Sequence, residues 1–148
     1  MSEDQKEVVV HGDGEGLDQE IFVGPHRLVG DEPEDSGGKG RGPDPYDLLL
    51  ASLGACTSMT ITMYAQSEGL PLRGVTARLR HSNVHADDCA ECETEEGKID
   101  WIELDIELDG PLSEEQRSQL LEIAEKCPVH QTLTSETVLR IGAGDESG

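Results

Sequence analysis

Aromatic side chains are almost absent from this chain: one Trp, two Tyr and one Phe, 3% of 148 residues. Basic residues are scarce as well, eleven Lys and Arg against thirty-two Asp and Glu, for a formal charge of −21. Nucleic-acid binding needs basic patches and often stacking rings, so this composition speaks against it. Adsorption to anionic membranes is disfavoured for the same electrostatic reason. No apolar run follows the polar start Met1 to Glu7, so no secretory signal is expected and the chain is assigned to the cytoplasm. Apolar residues make up only 34%, below the usual globular share. The acid is spread along the chain, as expected of a surface adapted to a salt-rich cytoplasm where self-repulsion is screened. The length fits one domain, 1–148, with flexible tails at about 1–6 and 142–148.

Within this polar chain one stretch has almost no charge. Asp44 stands at a helix N-cap position, Pro45 at the first helical position and Asp47 in the first turn, a strong helix start. No charge then appears until Glu68, and Gly69 closes the run. Apolar and small residues occupy every face, which predicts a helix over about 45–68 buried on all sides. Its uncharged part is about long enough to span a bilayer. Its Ser, Thr, Gly, Cys and Gln residues and acidic start without a basic flank fit a core helix better. Cys56 lies in its middle.

Short strands are predicted at Glu7 to His11, Glu20 to Val23 and His26 to Val29, the last two around Gly24-Pro25. A Gly- and acid-rich loop, Asp31 to Gly42, follows. Val75 to Ser82 and Ile99 to Asp109 alternate apolar and polar residues, as strands wet on one face do, which suggests an antiparallel sheet. As neighbours they would set Arg78 and Arg80 against an acidic row. An acidic Cys/His insertion, 84–98, connects them. Ser113 and Gln116 form a capping-box pattern, and Leu120, Ile123, Ala124 and Cys127 share a face of the helix that follows. Pro128 starts a further short helix with Cys127 at its N-cap, and Thr137 to Ile141 is expected as a final strand. Strands, long helix, strands, helices and strand make an α+β domain.

Four cysteines in a cytoplasmic chain point to redox-active or metal-binding thiols rather than structural disulfides. Cys56 and Cys127 are either ordinary core thiols or a reactive pair. A helix N-terminus favours a thiolate at Cys127, whereas Cys56 needs a nearby cation, for which Arg27, Arg41, His26 and His130 are candidates. His85, Cys89 and Cys92 have zinc-ligand spacing, with His81 near enough for a fourth ligand; an exposed acidic loop or a second redox dithiol are the alternatives. His26 with Asp31 and Glu32 is a weaker cluster that reads as a solvated strand end.

Gly42-Pro-Asp-Pro-Tyr-Asp-Leu-Leu-Leu-Ala-Ser-Leu-Gly-Ala-Cys56, followed far downstream by Cys127-Pro-Val-His130, resembles the OsmC-like family. The resemblance covers roughly Glu20 to Ile141. It implies antiparallel sheets packed around a long buried central helix, in an intertwined homodimer with sites at the subunit interface. It also implies thiol-dependent peroxidase chemistry, for which no cofactor is expected; the apolar surroundings of Cys56 suggest organic hydroperoxides as substrates. Cys56 matches the peroxide-attacking position and Cys127 the resolving one, and a dithiol such as a dihydrolipoyl group is the implied reductant. Characterised members pair a glutamate before the helix with an N-terminal arginine. Here Tyr46 stands in the glutamate's place, Asp47 is the next carboxylate, about 100° further round the helix, and no arginine precedes Arg27. Arg27, Arg41 and Asp47 are therefore the candidate activators of Cys56. A zinc- or redox-responsive dimer that binds a small ligand without turnover is the alternative expectation.

Overall fold

The computed structural model describes residues 6–93 and 97–144. The chain forms two compact units: Met1–Ser52 with Leu79–Glu103, and Leu53–Arg78 with Leu104–Gly148. The long helix and the two long strands each run from one unit into the other.

The first unit begins with a three-stranded antiparallel sheet: β1 (Val8–Gly12), β2 (Gln19–Val23) and β3 (His26–Gly30). The turn between β2 and β3 rests on Gly24, whose positive φ suits a residue without a side chain. The loop that follows is tied down by Asp31. Its buried carboxylate accepts the backbone N–H groups of Glu32, Lys39 and Arg41 at 2.7, 3.2 and 3.1 Å. The chain passes so close to β3 at Gly42 that a Cβ there would collide with the Val29 carbonyl. Asp31 is thus a structural hub rather than part of an exposed His–carboxylate cluster.

Helix α1 (Pro45–Glu68) starts as its sequence predicts. Asp44 accepts the N–H of Asp47 at 2.8 Å, and Asp47 reaches back to the N–H of Asp44 at 3.1 Å, so two free N–H groups are satisfied reciprocally. Leu53, Gly54, Thr57, Ile61 and Ala65 form its buried face. Burial on every side, however, is not found within one chain: Met59 and Met63 are 63% and 66% exposed. By length and composition α1 is apolar enough to cross a membrane. Its buried stripe nevertheless packs into the protein core.

In the second unit, Ile61 and Ala65 of α1 pack with Leu108, Leu120 and Ala124, flanked by Tyr64, Val75 and Ile106. Strands β4 (Gly74–His85) and β5 (Lys98–Asp109) pair as the alternation predicts. The expected cross-strand ion pairs, Arg78–Glu107 at 2.9 Å and Arg80–Glu103 at 3.0 Å, line their wet face. Helix α2 (Glu114–Ile123) carries the complete Ser113/Gln116 capping box and contributes fully buried Leu120. Arg117 locks it to the end of β5 by donating to the Leu108 and Gly110 carbonyls at 2.8 and 3.0 Å. A 3-10 turn, Ala124–Lys126, leads into α3 (Pro128–Leu133).

The expected strand Thr137 to Ile141 is not formed. Val138, Leu139 and Ile141 are 71%, 88% and 100% exposed. Alternation supplies one side of a ladder, and a strand also needs an edge to pair with. Of the expected tails, 1–5 and 145–148 lie outside the described residues, as does part of the 84–98 insertion.

Candidate active site

Two free cysteines define the site. Cys56 is carried in the middle of α1, half-buried, one residue before the core position Thr57. Cys127 is fully buried where Pro128 forces the chain to restart as α3. Proline suits that first helical position because its missing N–H costs nothing there. As the N-cap of α3, the Cys127 sulfur accepts the N–H of His130 at 3.4 Å. The two thiols, distant in sequence, lie near enough for each to act on the other's protonation.

Their electrostatic surroundings differ. Burial pushes the Cys127 thiol up, but the Cys56 and Thr57 side chains and the backbone N–H groups of His130 and Val129 favour its charged form. Together they outweigh burial and hold Cys127 below its ordinary value. Cys56 moves the other way. Burial raises it first; donating to Cys127 and facing that charge raise it further, against the Val129 N–H and the Thr60 side chain. The two thiols therefore titrate as a coupled pair.

Thr57, which sequence reasoning passed over, belongs to this site. Its side chain is fully buried and, among the described residues, its Oγ1 makes no hydrogen bond of full geometry. It nonetheless favours charge on the neighbouring Cys127. The signal in sequence was slight: a hydroxyl one residue from a cysteine on an apolar helix.

The expected activators are engaged elsewhere. Arg27 donates to Glu20 at 2.7 Å, Arg41 lies 3.6 Å from Asp18, and Asp47 caps α1 with Asp44. None of the three is among the groups that most strongly move either thiol. Tyr46, in place of the implied glutamate, stacks on His81 with ring centroids 4.4 Å apart. His81 Nε2 in turn contacts Asp100 at 3.0 Å.

The residues expected to hold zinc are arranged differently. Cys89 and Cys92 are joined as a disulfide, and among the described residues no three His, Cys, Asp or Glu side chains gather to hold a metal. Thiols bonded to one another have no thiolate to offer a cation. His85 is exposed at the N-cap of the 3-10 turn Ala86–Asp88. His81, the suggested fourth ligand, is held by Asp100 and Tyr46.

Two free thiols, one half-buried on a long helix and the other capping a short one, make the site this α+β scaffold presents. The chain belongs to the OsmC-like protein family, whose model matches residues 37–142. The same fold occurs in an organic hydroperoxide resistance protein, OsmC, from Legionella pneumophila. That protein is 22% identical, with 88% of this chain and 89% of that one aligned at a TM-score of 0.64. An osmotic stress and detoxification response protein from Psychrobacter arcticus gives 23% identity and a TM-score of 0.67, covering 84% and 85%. The organic hydroperoxide resistance protein OhrB of Bacillus subtilis gives 18% and 0.61, covering 88% and 90%. No curated protein matches the chain by sequence.

Proposed function

We propose that this protein is a cysteine-based reductase of organic hydroperoxides. The observation that carries this reading is the pairing of Cys56 and Cys127, two free thiols near enough for each to act on the other's protonation. Solved relatives of the same fold named for organic hydroperoxide resistance support the substrate class.

Accessibility assigns the roles. Cys56 retains exposure and Cys127 has none, so the peroxide meets Cys56. Its sulfur attacks the distal peroxide oxygen, the O–O bond breaks, and alkoxide leaves to be protonated to alcohol. The resulting Cys56 sulfenic acid is attacked by Cys127, which forms the disulfide and expels hydroxide as water. A dithiol, such as a dihydrolipoyl group, returns both thiols by exchange and leaves as its own disulfide. Thiols carry every electron, so the cycle needs no cofactor. The apolar helix around Cys56 favours alkyl hydroperoxides over hydrogen peroxide, because the alkyl group gains from burial.

The working form we propose is a homodimer. Met59 and Met63 on α1, and Val138, Leu139 and Ile141 beyond α3, are large apolar side chains that one chain leaves in water. A second copy would cover the uncharged rear of α1 and give the unpaired 137–141 segment an edge. We place this dimer in the cytoplasm, where dithiol reductants are available.

The test is consumption of cumene hydroperoxide with dihydrolipoamide as reductant. Wild type is expected to turn over, Cys56→Ser to be inactive, and Cys127→Ser to stop after one equivalent with a sulfenic acid at Cys56. No consumption by reduced wild type, with both thiols free, would refute the function.

A further inference from the structure

Cys89 and Cys92 are bonded to each other three positions apart, in the connection between β4 and β5. Such a bond is a poor structural link. A disulfide stabilises mainly by removing freedom from the unfolded chain, and the shorter the loop, the less there is to remove. Nor does it tie the two strands together, because both cysteines lie between the strand ends. The strands pair through their own ladder, and the Ala86 N–H closes the hairpin by donating to the Gly97 carbonyl at 2.8 Å.

Backbone hydrogen bonds also set the turn that carries the two cysteines. The Cys89 N–H donates to the Ala86 carbonyl at 3.1 Å, and the Cys92 N–H to the Cys89 carbonyl at 3.5 Å. The Cα atoms stand 5.5 Å apart, within the range a disulfide requires. A dithiol held in this turn would close to the disulfide as an intramolecular step, without a search through the chain's conformations. Cys92 is half-buried and Ala90, Glu91 and Glu93 around it are exposed, so the tip is open to dissolved reagents.

We propose that Cys89 and Cys92 form a second redox centre, a thiol–disulfide exchange site that takes small dithiols and disulfides while the fold stays in place. The inference stands apart from the peroxidase reading, since neither Cys56 nor Cys127 takes part. A thiolate of the dithiol attacks one sulfur of the Cys89–Cys92 bond, which breaks and leaves the other sulfur as a thiolate. The second thiolate of the reductant then attacks the mixed disulfide and releases the remaining cysteine. Two electrons and two protons pass to the protein, and the reductant leaves as its own disulfide. A small disulfide runs the same steps in reverse and restores the bond.

The experiment is equilibration of the full chain with dihydrolipoamide and lipoamide in varied ratio, in wild type and in Cys56→Ser/Cys127→Ser. Acid quenching, alkylation and peptide mass spectrometry read Cys89 and Cys92 separately from the other pair, so wild type alone suffices if the variant does not fold. The bond should open under excess dihydrolipoamide and re-form under excess lipoamide, on one curve approached from either side. The reduced chain should still unfold cooperatively in urea. A bond that opens only after urea has unfolded the chain would overturn the proposal, as would thiols that stay reduced under excess lipoamide. Loss of cooperative unfolding on reduction would likewise show a structural link and overturn it. Reversible exchange at Cys89 and Cys92 in a protein that consumes no cumene hydroperoxide would uphold this site and refute the peroxidase reading alone.

Discussion

Thr57→Val should yield a protein that is more stable while its thiols are protonated. Valine replaces a hydroxyl by a methyl of nearly the same size, and the two residues have similar helix propensity. Removing a buried hydroxyl that lacks a partner recovers about 1 kcal/mol at the low end of its desolvation cost. Burying a methyl in its place adds about 0.8 kcal/mol. The total, about 2 kcal/mol, corresponds to a rise of about 4–8 °C in Tm for a chain of this size. The gain must depend on pH. Cys127 is held below its ordinary value in the fold, so its thiolate contributes stability above the unfolded value and loses it as pH falls through the folded one. Valine gives up part of that contribution. Urea unfolding of the reduced protein should show a large gain at acid pH, where Cys127 is protonated in the fold, and a smaller one at about pH 9.5, above an ordinary thiol. A variant less stable than wild type at the lower pH would mean that the hydroxyl is already satisfied when Cys127 is neutral. An equal gain at both would mean that it does not act on the thiolate.

Asp31→Ala should lower Tm at neutral pH and flatten the acid side of the stability profile. The wild-type carboxylate, held below its ordinary value of 3.8 because three backbone N–H groups outweigh its burial, stabilises above that value and is lost as pH falls through its lower folded value; an unchanged acid profile in the variant would remove Asp31 as the loop's anchor. Met59→Glu with Met63→Glu should convert a dimer into a monomer by light scattering, since two charges would enter the apolar rear of α1; an unaltered mass would place the dimer contact elsewhere. Thermal midpoints should rise between about 0.1 and 3 M KCl as salt screens the −21 charge, and equal midpoints would count against a salt-adapted surface.

The parts of the fold that local chemistry decides were readable from sequence. Asp44 and Asp47 announce the start of α1, Ser113 and Gln116 that of α2, and Cys127-Pro128 that of α3. Alternation placed β4 beside β5 down to the pairing of Arg78 and Arg80 with acids. What escaped depends on groups far apart in sequence. Thr57 looks like filler on an apolar helix until α3 brings a sulfur beside it. Asp31 looks like loop acid until Lys39 and Arg41 turn their N–H groups back to it. The 137–141 segment has a strand's pattern, but pattern alone cannot supply an edge. The Cys89–Cys92 spacing is compatible with a metal as well as a disulfide, and only the positions of the two sulfurs separate them.

The hairpin-tip disulfide has a consequence for how this protein would meet reductants. Cys89 is buried and Cys92 half-buried, with acidic Glu91 and Glu93 as the neighbours of Cys92 in sequence and Asp87 and Asp88 shortly before. An anionic thiol must climb the Coulomb repulsion of that acidic rim to reach it, whereas an uncharged dithiol does not. An uncharged dithiol is therefore expected to reduce this disulfide faster than an anionic one at low ionic strength, and the difference to fade where the Debye length shrinks to about 3 Å.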